Sequence, residues 1–432
     1  MRQNYKKKLF TLIASTIGIT GLSLAQVVTT FAGDTLSGLV DGSCSAAKFN
    51  YPVGIIADRN GNLFITENND VRKIDISTAT VSTVLRDTGG FGPQSITTDG
   101  IGNLYIADQG NHQIRKIVIA TGVMTTFAGS TTIGSTDGLD TAARFWVPTG
   151  ITTDLRGNLY VVDQGYCNIR KIVIATGAVT TLAGTANTEG SADGTGSAAQ
   201  FHFPYGVAAD SSGNLYVSDS QNNEVRKIVI STRVVTTLAG NLSPGSADGT
   251  GLAAGFNTPT GITYDGNGNL YVTDVGNNEI RKIETSTGMV TTVAGSTTHG
   301  TTNGIGSAAR FYWPADVTFD MSGDLYVADG RNNEIRKISG LLTGIASSNQ
   351  KSLSSISIYP NPTTGIFQLL MDRNNPTESV IEIYNTFGDL IYKRTMLDNA
   401  IEIDLNTQPK GIYFYRVVSE NKLIGSGKLV IE

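Results

Sequence analysis

A single phrase, G-N-L-Y-V-x-D followed by a short polar turn and I-R-K-I, recurs six times along this 432-residue chain. The copies end at Arg72, Arg115, Arg170, Arg226, Arg281 and Arg336, spaced by 43, 55, 56, 55 and 55 residues. A period of this size predicts an array of one supersecondary unit rather than a conventional single core. It also supplies an internal control. Residues present in every copy serve the folding of the unit, so function is sought where one copy departs from the rest.

The unit running from Ser191 to Gly240 holds four β-rich runs divided by turn residues: after Pro204 to Asp210, Leu215 to Asp219, Val225 to Ile230 and Val234 to Ala239. Four antiparallel strands per unit, repeated radially, predict a propeller blade. A helical solenoid would need apolar residues at 3.6 spacing over ten or more positions, which no unit has. The sixth unit lacks its own V-T-T-x-A-G run, and that run stands at the other end, as residues 28–33. A strand there would complete the last blade and remove the edges of an open array. The fold class expected is all-β, a six-bladed β-propeller over residues 26–340.

Composition narrows the partners. Residues 26–340 hold 20 basic and 28 acidic side chains, and a surface built for phosphates shows the opposite balance. Nucleic acid is therefore excluded. Residues 1–25 read as a signal peptide: Arg2, Lys6, Lys7 and Lys8 precede an apolar run to Leu24, and Ser23-Leu24-Ala25 offers small residues for cleavage before Gln26. No later segment has the length and apolarity of a membrane-spanning helix. The two cysteines, Cys44 and Cys167, fall two units apart and are expected to be free.

These repeats resemble the NHL repeat family, on the G-x-L-Y-V-x-D strand and the N-x-x-I-R-K hairpin partner, in all six units. The resemblance implies a six-bladed propeller whose first strands line a central channel. The first unit has Glu67 in place of the aspartate, and the second has lost the A-D-G-T-G-S-A-A-x-F insertion.

An acid and an arginine recur together: Asp108 with Arg115, Asp163 with Arg170, Asp219 with Arg226, Asp274 with Arg281, and Asp329 with Arg336. Each pair is expected to be a structural ion pair near the contacts between blades. The Asp-x-x-Gly-Asn segments (Asp154, Asp210, Asp265) and the Asp-Gly pairs at Asp193 and Asp248 read as turns, lacking the ligand set of a calcium loop. The departures gather in loops of one propeller face. They include both tryptophans, Trp146 and Trp313, with His202 and Tyr205, and Asp316, where other units have glycine or serine. Flat rings with polar edges at a channel mouth suit an extracellular glycan, peptide or protein. Three histidines, His112, His202 and His299, would have to converge for a catalytic zinc, leaving a metal-dependent lyase or lactonase-like hydrolase as the alternative. No metal site and no cofactor is specified by the motifs.

After a Ser- and Gly-rich linker, residues 341–353, seven short alternating runs predict a small β-sandwich over residues 354–432. Its Y-P-N-P-T-T-G-x-F opening at Tyr359, the Lys410-Gly411-Ile412-Tyr413 segment and the closing Lys428-Leu429-Val430-Ile431 resemble the C-terminal sorting domain of the type IX secretion system. That resemblance implies contact with the secretion machinery through residues 354–432. The address it implies is extracellular, or attached to the outer surface of a Gram-negative bacterium.

Overall fold

The computed structural model describes residues 26–87, 89–341, 356–359, 363–371, 379–385, 390–396, 398, 400–419 and 422–432. The expected signal peptide, most of the expected linker and Pro360 to Pro362 of the sorting motif lie outside the described residues. The chain forms two compact units, divided after Leu342. Among the described residues no helix is long and apolar enough to cross a membrane.

The first unit is a six-bladed propeller. Blade 4 shows the plan: Pro204–Ala209, Asn214–Asp219, Glu224–Val229 and Val234–Gly240 pair antiparallel in order from the centre outward. The first strand of each blade touches that of the next, and the sixth touches the first, so the ring closes. The seam lies inside blade 6, where Val27–Gly33 pairs antiparallel with Glu334–Ser339.

The L-Y-V phrase is apolar throughout because its strand is covered on both sides. Leu215 and Val217 pack with Tyr160 and Val162 of blade 3, while Tyr216 packs with Leu270 and Val272 of blade 5. Successive side chains of a strand point to opposite faces, so one strand feeds two interblade cores. The Asp-x-x-Gly-Asn segments close the hairpin between strands one and two. Asp210 Oδ1 accepts the N–H groups of Ser212 and Asn214, both at 2.8 Å, and its Oδ2 accepts Asn214 Nδ2 at 2.7 Å and Tyr216 Oη at 3.1 Å. Those oxygens are occupied by donors, as a turn requires and a cation site does not.

Five blades carry a fifth strand of two residues outside the fourth, such as Gly194–Thr195, and the four-strand expectation is corrected there. This strand and the 3-10 turn after it come from the A-D-G-T-G-S-A-A-x-F insertion, which blade 2 lacks. The insertion encloses the repeated arginine. In blade 4 the Arg226 guanidinium donates to Asp219 at 2.9 Å, to Asp193 at 2.7 Å and to the Gln200 carbonyl at 3.0 Å, with Phe201 lying 5.5 Å away. Arg72, Arg170, Arg281 and Arg336 are likewise fully buried, each against the phenylalanine of its own insertion. The Asp-Gly pairs are thus more than turns. Asp137, Asp193 and Asp248 are second carboxylates for these arginines.

The second unit has two sheets: Ile356–Tyr359, Ile366–Met371 and Ala400–Asp404 in one, and Leu390–Met396, Ser379–Tyr384, Gly411–Ser419 and Lys422–Ile431 in the other. Phe367, Leu369, Ile381, Ile383, Ile403, Tyr413, Tyr415 and Val417 alternate inward to form its core. Thr363 of the sorting motif is buried. Its N–H donates to Val430 O at 2.9 Å, and its hydroxyl donates to Ile366 O at 2.7 Å. This pins the motif to the final strand.

Candidate functional site

The repeated aspartate positions the variable loops. At the end of strand two its Oδ1 accepts the N–H of the residue two before the first-strand proline: Trp146 at 2.7 Å, His202 at 2.8 Å, Asn257 at 2.7 Å and Tyr312 at 2.8 Å. The residue immediately before the proline adopts left-handed backbone in five blades, with φ of 59° at Tyr51, 59° at Val147, 47° at Phe203, 56° at Thr258 and 58° at Trp313. Its N–H is held by the preceding blade: Asn278 Oδ1 accepts from Trp313 and Asn333 Oδ1 from Tyr51, both at 3.0 Å. Side chains held this way stand out on one face of the ring. Tyr51, Phe203 and Trp313 are 38%, 43% and 36% exposed.

A cavity of about 370 Å³ opens on that face, lined by blades 6, 1 and 2 together with Tyr205 of blade 4 and Thr260 and Val275 of blade 5. Tyr51, Trp313 and Tyr205 line it together with Asn50, Asn68, Gln94 and Gln109. The Tyr51 and Trp313 rings meet edge to face with centroids 6.0 Å apart. Tyr205 reaches across the ring from blade 4 and donates its hydroxyl to Gln94 Oε1 of blade 2 at 2.6 Å. Burial pushes the Tyr205 phenol well above its usual range, so it stays a neutral donor.

A second cavity of about 270 Å³ lies further along the channel, lined by the first strands of all six blades and by Asp316. Gly54, Gly150, Gly206 and Gly261 hold the matching position in other blades, where an added Cβ would collide with a backbone carbonyl of the next blade. At the junction of blades 6 and 1, Asp316 fills that place. Its carboxylate accepts Ile55 N–H at 3.2 Å and Val317 N–H at 2.9 Å. Burial pushes its carboxyl up to about 7. In blades 1, 4 and 5 the hydroxyls of Thr66, Ser218 and Thr273 bond the matching glycine N–H, whereas blade 6 has Ala328 there.

The five residues singled out in sequence thus divide. Tyr205 and Trp313 meet in the mouth cavity, and Asp316 lies in the channel beyond. Trp146 instead packs edge to face on Tyr166 at 5.4 Å, and His202 Nε2 sits 3.4 Å from Glu189; neither lines the cavity. The three histidines occupy separate contacts. His112 Nδ1 accepts Val147 N–H at 3.3 Å, doing the work of asparagine in other blades, and His299 stacks on Tyr312 at 4.3 Å. Among the described residues no three His, Cys, Asp or Glu side chains gather to hold a metal ion. Cys44 and Cys167 are buried and free.

Arg331 was not evident from the sequence. Its guanidinium lies 3.9 Å from the Trp313 ring and 5.2 Å from Tyr312, and donates to the Tyr312 hydroxyl at 3.0 Å. The signal was available: matching turn positions hold Gly110, Gly165, Gln221 and Gly276.

A closed ring of four- and five-stranded blades, sealed by an N-terminal strand, defines a β-propeller with a mouth cavity on its loop face. Residues 201–228, 256–283 and 311–338 match the NHL repeat, and residues 357–432 match the secretion system C-terminal sorting domain. The chain therefore carries NHL repeats and ends in a type IX sorting domain, which marks it for export to the outer surface or the medium. Among similar proteins, suppressor of quenching 1 of Arabidopsis thaliana is 30% identical over 281 residues, 58% of this chain and 26% of that protein. NHL repeat-containing protein 2 of Homo sapiens is 30% identical over 308 residues, 59% of this chain and 41% of that protein. The match thus spans less than half the length of these relatives. A solved protein of unknown function from Bacteroides thetaiotaomicron is 26% identical with a TM-score of 0.59, covering 73% of this chain and 76% of that one.

Proposed function

We propose that this protein is an exported binding module whose ligand, a glycan or peptide, docks in the mouth cavity on Tyr51 and Trp313. The carrying observation is the composition of that cavity. Three aromatic rings and four carboxamides line it, and no carboxylate, imidazole, thiol or ammonium does. Rings supply flat apolar area, and carboxamides both donate and accept, which suits hydroxyl or peptide groups. The titratable groups of the lining are the Tyr51 and Tyr205 phenols, and burial raises both above their usual range, so the lining stays neutral and favours binding over acid–base chemistry.

Residues 1–25 act as the leader removed before Gln26, and the sorting domain delivers the propeller to the cell exterior, released or surface-attached. A glycan and peptide binding screen tests the reading. Trp313→Ala is expected to weaken the best ligand roughly tenfold or more, as central aromatic anchors do. Tyr205→Phe, which removes the Gln94 hydrogen bond, weakens it less. Affinity unchanged in both Trp313→Ala and Tyr51→Ala would refute the mouth as the site.

A further inference from the structure

Among the described residues, blade 2 is the one blade without an outer strand. The other blades show what belongs there. The insertion aspartate accepts from the buried arginine at 2.6 Å (Asp41), 2.8 Å (Asp137), 2.7 Å (Asp193) and 2.9 Å (Asp248). It also accepts from a threonine hydroxyl of strand four, at 3.0, 3.0, 3.2 and 2.9 Å respectively. The glycine after it then pairs with a strand-four valine: Gly42 with Val81, Gly138 with Val179, Gly194 with Val235 and Gly249 with Val290. Blade 6 follows the same plan with Asn303 in place of the acid.

In blade 2 the receiving groups remain without that segment. Phe91 is buried in the aromatic place. The Arg115 side chain is 19% exposed, against none in the other five, and its nearest acid, Asp108, is 4.0 Å away. Gln113 Oε1 spans the carboxylate position with an uncharged oxygen, accepting from Arg115 at 2.6 Å and Thr126 at 3.2 Å. Val123 on the uncovered edge is 55% exposed, and Met124 is half-buried where the corresponding Val81, Val179, Val235 and Val290 are buried.

We propose that the outer edge of blade 2 docks an extended acidic segment of a partner protein. An Asp-Gly step of that segment sets its carboxylate between Arg115 and Thr126, and the residues that follow pair with Met124 and Val123. Addition to a strand edge is an established mode of peptide recognition, and the charge-assisted pair fixes the register. Residues 1–25 and 342–355 hold no aspartate or glutamate, so neither segment of this chain carries the required group. Four of the five filled blades supply an aspartate followed by glycine on a short strand, which defines the occupant as acidic, glycine-containing and extended.

The probe is a fluorescein-labelled, end-blocked peptide with the sequence of residues 245–252, titrated against the full chain by fluorescence polarisation. Saturable binding is expected, weakened roughly tenfold or more when the peptide aspartate is changed to asparagine. Arg115→Gln is expected to weaken it similarly. A second variant takes residues 191–200 as an insertion after Asp87, giving blade 2 its own outer strand; it should keep or raise the melting temperature and bind no peptide. The proposal fails if the unaltered chain shows no saturation, if the asparagine peptide binds equally well, or if the insertion variant still binds. It also fails if this edge joins two copies of the chain, seen as a concentration-dependent dimer that the insertion abolishes.

Discussion

Removing Arg226 should cost far more stability than removing Arg115, although the two occupy the same place in the repeat. Arg226→Ala deletes a fully buried guanidinium bonded to Asp219, Asp193 and the Gln200 carbonyl, and strands Asp219 in the interior. Breaking a buried pair by removing one partner costs about 3–5 kcal/mol. Arg115 is partly exposed, its acid is 4.0 Å away, and Gln113 and Thr126 are its bonded neighbours, so Arg115→Ala should cost about 1 kcal/mol. Unfolding entropy near 2.1 cal/mol/K per residue puts the propeller at about 660 cal/mol/K, so each kcal/mol moves Tm by about 1.5 °C. Scanning calorimetry should then show a fall of about 5–8 °C for Arg226→Ala and about 1–2 °C for Arg115→Ala. Equal shifts would refute the claim that the insertion makes the difference. Loss of ligand binding at unchanged Tm in Arg226→Ala would show the arginine ring to be a binding surface instead.

Glu224, Glu279 and Glu334 crowd arginines that already have other acceptors, and burial raises each to about 7. The folded chain therefore holds more protons than the unfolded chain between about pH 4.5 and 7, so stability from these groups is present at low pH and lost as pH rises. Tm is expected to be higher at pH 5 than at pH 8, and the triple Glu→Gln variant should flatten that difference; an unchanged slope would remove these groups from the account. Gly206→Ala places a Cβ against Thr260 O, which should lower Tm by several degrees, whereas Ser95→Ala on the same ring should change it little. Asp210→Ala removes the acceptor of four hydrogen bonds and should cost about 1–2 kcal/mol by urea denaturation, and calcium should not stabilise the unaltered turn. Deleting residues 354–432 should strand the propeller in the periplasm, read by fractionation; undiminished export without them contradicts the sorting role.

The blades were legible because each strand run is bounded by its own turn residues and appears six times. The two-residue outer strand was not, since Gly194-Thr195 carries no periodicity, and the partner of Asp193 lies 33 positions away at Arg226. The site was half legible. Comparison of copies flagged Trp146, His202, Tyr205, Trp313 and Asp316, but which of them meet depends on ring geometry. Tyr205 reaches a glutamine 111 positions earlier, while His202 turns to Glu189. Arg331 stands out in its turn only as a departure from glycine or glutamine, and its place on the Trp313 ring depends on how that turn packs beside the proline loop.

The seam in blade 6 sets a schedule for folding. Val27 pairs with Ser339, more than three hundred residues later, so the propeller strand that comes first in sequence is the last to find its place. Non-local pairing of this kind makes the ring slow to close, and no partial array of blades has its edges sealed. A ring that stays open until its sixth blade is complete gains its closing contacts only when the whole repeat array is present. It then locks as a unit, because the last contact made joins the two ends of the array.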